Sequence, residues 1–372
     1  MLILFVEDDE RAIRHARERV QSEHDDVVCE VKHFKDAADW IRVNRPDIVS
    51  LDLVDAGLSG DAKLAGQEIY QLIWEHHFCP IIVYSAQLEV WDADRPQHPF
   101  CITVQKGVGS PAVFSKAVND FRHHVDALRD AEAQVRREFT IAMRDLAPSV
   151  FAAVTDAEQR RRIIRRSGRR RLAAQMDDFS EYDVEGERTL APWEHYLCPP
   201  VTTDLLLGDI LRSSNGTAID PKSFRVVLTP SCDLVAKPPR RPKVSSVLVA
   251  KCVAIGEGLS NVGMNLDRRD RNDETKVAEY KKKLRSELTQ GFIRHVLPFP
   301  SFGTSIPQMA ANFRNLELVP YDEIGDQGSF RRIASIDSPF RELVSWAYMQ
   351  SACRPGMPDR NVKEWCDEIC RW

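Results

Sequence analysis

The sequence is marked first by what it lacks. None of its apolar runs approaches the roughly 18 residues that a membrane-crossing helix needs, so no membrane partner is expected. Its first residues do not form a basic region followed by an apolar stretch, so no signal peptide is expected. The first strand-like run begins at Leu2, and a native start is the expectation. No C-x-x-C pair occurs among the nine cysteines, and the nearest two, Cys366 and Cys370, lie one helical turn apart. Without a spacing framework, these thiols are expected to be reduced and structural in a cytoplasmic protein. Internal repeats are absent, and a content of 43% hydrophobic and 29% charged residues is that of a folded chain. At 372 residues, two or three domains are expected. The net charge of -5 is too mild to argue for or against a nucleic-acid partner.

What is present is concentrated near the start. Apolar runs at Leu2 to Val6, Val27 to Val31, Asp47 to Leu53, Ile81 to Ser85 and Cys101 to Gln105 alternate with helix-like segments at Arg11 to Val20, Lys35 to Val43 and Gln67 to His76. Strands alternating with helices of this length predict βαβ units around a parallel sheet. The fourth connection, Gln87 to Pro99, carries Asp92, Asp94, Pro96 and Pro99 and predicts a short or irregular helix. Four of the runs end in reactive groups: Glu7 and Asp8, Asp52, Ser85, and Lys106. In an open parallel sheet, ligands bind at the carboxyl ends of the strands, so these residues are expected to converge.

Three carboxylates brought together repel one another, and a cation relieves that repulsion. Mg2+ suits them because it takes hard oxygen ligands and keeps several waters. Asp52 is then a carboxylate nucleophile able to accept a phosphoryl group. The Lys106 ammonium and the metal would neutralise charge on the transferring oxygens, and Ser85 would donate to the bound group. The bland alternative is that these polar side chains only terminate strands and face water.

In order and position, Glu7 and Asp8, Asp52, Ser85-Ala86 and Lys106 resemble the response-regulator receiver (CheY-like) family over residues 1–128. The resemblance implies a five-stranded, doubly wound, flavodoxin-like α/β domain of strand order 2-1-3-4-5. It also implies Asp52 as phosphoacceptor, a histidine kinase or phosphotransfer protein as partner, and the backbone carbonyl of Val54 as a further metal ligand. The chain departs from the family in three ways. The segment between Asp52 and Gly66 is several residues longer, Gly107 replaces the usual proline after the lysine, and Thr103 stands where an aromatic is common. A receiver that no longer accepts phosphate, or one whose longer loop shields the product, is the alternative these departures raise.

Residues 129–189 read as a helical linker. Ser110 and Pro111 can start a helix, and Phe114, Val118, Phe121, Val125, Leu128, Val135, Phe139, Ala142 and Leu146 form a heptad-like seam. Residues 114–146 are therefore expected either to pair two copies in a homodimer or to fold back on the same chain, and Pro148 is expected to break the pattern. Arg160 to Arg171 holds eight arginines in twelve residues. Arg165, Arg166, Arg169 and Arg170 could grip a polyanion, although pairing with Asp177, Asp178, Glu181 and Asp183 in a solvated helix is the favoured reading.

Residues 190–372 change in texture, with β-rich runs followed by helix-like ones. They predict an α+β output domain with a small antiparallel sheet or barrel. From Gly208 to Ala250, the Gly208-Asp209-Ile210 turn and the Arg225-Val226-Val227-Leu228-Thr229 strand are weakly similar to small barrels of the PemK and MazF kind. That similarity implies Arg225 as the residue nearest to a catalytic one, but the proline that follows the arginine in those barrels is absent. Cys232 and Asp233 are candidates for an output-domain site, and Cys232, Cys252, Cys198 and His195 for a zinc site. Winged-helix, cyclase, methylesterase and Walker signatures are all missing. The expected function is that of a non-enzymatic response regulator, with phosphorylation controlling residues 190–372. The alternatives are a phosphoryl reservoir in a phosphorelay, including one in antiphage defence, or a phosphorylation-controlled nucleic-acid effector.

Overall fold

A computed structural model describes residues 1–55, 65–91, 98–176, 190–236, 241–353 and 361–370. The chain divides into two units, 1–181 and 182–372. The first unit opens with β1 (Leu2–Val6), α1 (Glu10–Glu23), β2 (Val28–Lys32), α2 (Phe34–Asn44), β3 (Ile48–Leu51), α3 (Ala65–His76), β4 (Ile81–Ser85) and β5 (Cys101–Gln105). Its sheet runs β2-β1-β3-β4-β5 and every pairing is parallel, which is the flavodoxin-like order. β3 and β4 are buried along their whole length, as expected of central parallel strands covered on both faces. Alternate residues feed two cores. Ile3, Phe5, Ile82 and Tyr84 pack with Ile13, Ala16 and Val20 of α1, while Leu4, Val6, Leu51 and Val83 pack with Phe34 and Ile41 of α2 and Ile69 and Ile73 of α3. Between β4 and β5 the described residues form only a 3-10 turn, Leu88–Val90. Asp92, Asp94 and Pro96 lie outside the described residues.

Two long helices follow, α4 (Ser110–Ala153) and α5 (Ala157–Met176). Phe114, Val118, Phe121 and Val125 of α4 complete the first core. Contrary to the sequence expectation, Pro148 does not end the helix, which continues five residues further. A proline inside a helix costs about 3 kcal/mol, and local packing offsets it. Val150 is buried, and Arg160 reaches back to the carbonyls of Val154 at 3.1 Å and Thr155 at 2.9 Å while its guanidinium stacks 4.2 Å from the Phe151 ring. Asp156 then accepts from the amide of Gln159 and starts α5. At Gly168 an added Cβ would lie 2.3 Å from Met143 Cε, so α5 seats closely on the distal part of α4. That part of the seam folds back within the chain, whereas Val135 and Phe139 remain exposed.

The second unit holds β6 (Tyr196–Leu197), β7 (Ile210–Ser213), β8 (Phe224–Val227), α6 (Ser231–Leu234), β9 (Ser246–Ala254), α7 (Ile255–Asn261), α8 (Glu274–Thr289), β10 (Val296–Phe299), β11 (Met309–Pro320), β12 (Phe330–Ile336), α9 (Phe340–Ala352) and α10 (Val362–Ile369). Its antiparallel sheet runs β10-β11-β9-β8-β7-β12-β6. One face buries Ile210, Phe224, Val226, Cys252, Phe299, Phe313 and Ile336 beneath Val344 and Ala347 of α9, and the other buries Leu211, Val227, Val247, Val249 and Val319. No helix among the described residues is long and apolar enough to cross a membrane.

Candidate metal and phosphoryl site

The carboxyl ends of β1, β3, β4 and β5 meet in one buried polar cluster. Because β1 and β3 are register-matched neighbours, with Val6 opposite Leu51, Glu7 and Asp52 leave the sheet side by side. Ligand oxygens of Glu7, Asp8 and Asp52 all lie within 4.8 Å of one another. Among the described residues, no other group of acids, histidines or cysteines comes together in a way that could hold a metal ion. From β5, Lys106 places Nζ 2.5 Å from both Asp52 Oδ2 and Glu7 Oε2. From β4, Ser85 Oγ donates to Asp52 Oδ1 at 2.6 Å, and the amide of Leu53 donates to the same oxygen at 2.7 Å. Asp52 is thus held at both oxygens, and rotation of its carboxylate is blocked.

Burial drives the Glu7 carboxyl upward, to about 7, with the Lys106 ammonium opposing and the Asp52 charge assisting. Burial alone would lower the Lys106 ammonium, but the Asp52 and Glu7 carboxylates outweigh it and hold the group above its ordinary value. Three carboxylates face one ammonium, so an excess of negative charge stands in a mostly desolvated pocket. All donors are hard oxygens, a set that fits a small divalent cation.

The sequence-derived set Glu7, Asp8, Asp52, Ser85 and Lys106 therefore assembles as expected, and Val54 is buried at the turn just beyond Asp52. Three further contributors were not anticipated. Gly66 backs the acceptor so closely that a Cβ there would lie 2.1 Å from the Asp52 carbonyl oxygen, and only glycine fits. Its cue in the sequence was a lone glycine at the start of α3. Asp55, fully buried, pairs with His33 across 3.6 Å and ties the end of β2 to the segment after β3. Tyr84, inward on β4, has the Lys106 ammonium 5.6 Å above its ring and its hydroxyl 2.7 Å from Ser110 Oγ. Thr103 is exposed on β5. The long segment after Asp52 falls largely on residues 56–64, outside the described residues.

The candidates in the second unit do not come together as a site. Arg225 donates from Nε to Glu317 Oε2 at 2.7 Å and from Nη1 to the carbonyls of Lys222 and Phe224. Its donors are spent on joining β8 to β11, which replaces the catalytic reading with a structural one. The four proposed zinc ligands do not come together. Cys252 points into the core, where burial drives its thiol up to about 12, whereas Cys232 is exposed at α6 with Asp233, itself paired to Lys243 at 2.8 Å. Of the arginine run, Arg165, Arg166, Arg169 and Arg170 are exposed on α5, and their expected acidic partners at Asp177, Asp178, Glu181 and Asp183 lie outside the described residues.

No protein-family model matches the chain, and no curated protein matches it. Among solved structures, a de novo designed Rossmann 2x3 fold protein determined by solution NMR is similar at 16% identity. It matches 33% of this chain and 89% of its own, with a TM-score of 0.25.

Proposed function

We propose that unit 1–181 is a receiver that accepts a phosphoryl group on Asp52 from a phosphohistidine of a histidine kinase or phosphotransfer protein, with Mg2+ as cofactor. The observation that carries this reading is Lys106 Nζ at 2.5 Å from Asp52 Oδ2, opposite a cluster of acids within 4.8 Å of one another. Glu7, Asp8 and Asp52, with the Val54 carbonyl, would hold the ion. When bound, the ion supplies positive charge and a docking point for phosphoryl oxygens.

The residues of the chain do the rest. A carboxylate oxygen of Asp52 attacks phosphorus, the new O–P bond forms as the P–N bond breaks, and the imidazole leaves with the electron pair. Lys106 neutralises charge spreading over the equatorial oxygens. Ser85 turns its hydroxyl from Asp52 Oδ1 to a phosphoryl oxygen.

Esterification moves the negative charge that faces Lys106 from the Asp52 carboxylate to the phosphoryl oxygens, and Lys106 sits over Tyr84. The Tyr84 hydroxyl is bonded to Ser110 Oγ, which also accepts from the Gly107 amide at 3.1 Å. Ser110 is the first residue of α4. Phosphorylation therefore acts on the root of the α4/α5 hairpin, and through it on a non-enzymatic output by residues 190–372 or on pairing of copies through exposed Val135 and Phe139.

The test is acetyl phosphate with Mg2+ and the full chain. Intact mass spectrometry should find one added phosphoryl group, and none in Asp52→Ala. Equal labelling of the variant would remove Asp52 from the reaction.

A further inference from the structure

We propose that the outward face of α5 is a binding surface for the phosphate backbone of duplex DNA. At 3.6 residues per turn, Arg162, Arg165, Arg166, Arg169 and Arg170 fall within an arc of about 140°. All five are exposed. The remaining arginines of the run are occupied: Arg160 by the carbonyls of Val154 and Thr155, Arg161 by Glu158 at 3.6 Å, and Arg171 by Asp145 at 3.3 Å. Among the described residues, none of the five in the arc is joined to a carboxylate. The opposite face carries Ile163, Ile164, Ser167 and Gly168, and Gly168 is pressed against Met143 of α4. The stripe is therefore fixed on a supported helix.

Its chemistry selects the ligand. All eight basic residues from 160 to 171 are arginine and none is lysine. Guanidinium forks match phosphate oxygens two at a time. The face has no aromatic side chain on which unpaired bases could stack, which disfavours single strands. Its apolar side is covered by α4, which disfavours insertion into a bilayer. From Arg162 to Arg170 the stripe spans about 12 Å, and duplex DNA presents one phosphate charge per roughly 1.7 Å of axis. B-form DNA also admits a helix to its major groove, whereas duplex RNA does not.

The experiment is fluorescence anisotropy of the full chain with a labelled random-sequence DNA duplex between 50 and 200 mM salt. Five phosphate contacts predict a log–log salt slope near −4.5, a loss of about 500-fold in affinity across that range. Arg165→Ala/Arg169→Ala should reduce the slope to about −2.7, and replacing all five arginines should abolish binding. Alanine is a strong helix former, and far-UV circular dichroism checks that α5 survives. No binding at 50 mM salt, or a slope unchanged in the double variant, would overturn the proposal. Tighter binding to duplex RNA, to single strands or to phosphatidylserine vesicles than to duplex DNA would overturn it equally. Asp52→Ala leaves the stripe intact, so this test stands apart from the phosphoryl reading.

Discussion

Each unit buries a carboxylate beside a cation, and the two clusters differ in how completely they are closed. In the second unit, Asp209 is wholly buried and held at both carboxylate oxygens. Arg332 Nε lies 2.8 Å from Oδ2, Ser335 donates to Oδ1 at 2.6 Å, and the Leu206 amide donates to Oδ2 at 2.7 Å. Arg332 in turn donates to the carbonyls of Thr202 and Asp204, both at 2.7 Å. One carboxylate meets one guanidinium at 2.8 Å, and each carboxylate oxygen also accepts a hydrogen bond. In the first unit, Lys106 serves both Glu7 and Asp52, and Asp8 adds a third acid. A balanced pair is architecture; a surplus of like charge, held in place by the fold, is a candidate site.

The contrast can be broken from either side. The largest effect is expected from Asp209→Ala, which strands Arg332 in a buried setting and should destabilise the second unit by about 3–5 kcal/mol, read by urea denaturation. Substitution in the other cluster should act on function more than on folding. Gly66→Ala forces a Cβ against the Asp52 carbonyl. It should cost about 1–3 kcal/mol and reduce phosphoryl labelling of Asp52 even where the unit stays folded, which mass spectrometry and thermal unfolding together can separate.

The third effect is on pH. Because burial raises the Glu7 carboxyl to about 7, a proton competes with the cation below that value. Mg2+ affinity should weaken about tenfold per pH unit on the acid side and level off above it. Isothermal titration calorimetry checks this, and Glu7→Gln should flatten the curve. The smallest effect is that of Tyr84→Phe. Loss of its hydroxyl contact with Ser110 should cost about 1 kcal/mol, while labelling of Asp52 persists and any phosphorylation-dependent change in sedimentation diminishes.

The first unit was legible because its cues are local. β1, β4 and β5 begin and end within a residue of their apolar runs, and a parallel sheet sends the residue after each strand to one edge. Glu7, Asp52, Ser85 and Lys106 follow from that rule alone. What could not be read depends on distant neighbours. Gly66 matters because of the Asp52 backbone, Tyr84 because of Ser110, and Arg225 is neutralised by Glu317, 92 positions away. The same holds for the second sheet, where β12 and the two-residue β6 carry little periodicity of their own and pair across more than a hundred residues. Pro148 was misleading because propensity describes an isolated helix, whereas α5 and Arg160 brace this one.

The unbroken course of α4 has a mechanical corollary. Beyond its last ion pairs with the α/β part, Arg129 with Asp47 and Glu132 with Arg45, it runs on from Arg137 to Ala153 for about 25 Å, at roughly 1.5 Å per residue. A rotation of only 5° about the Ser110 end would sweep the far tip, about 65 Å away at the same rise, through roughly 5–6 Å. A rigid rod of this kind magnifies an adjustment of a few tenths of an ångström near Lys106 into a displacement large enough to change which surfaces meet.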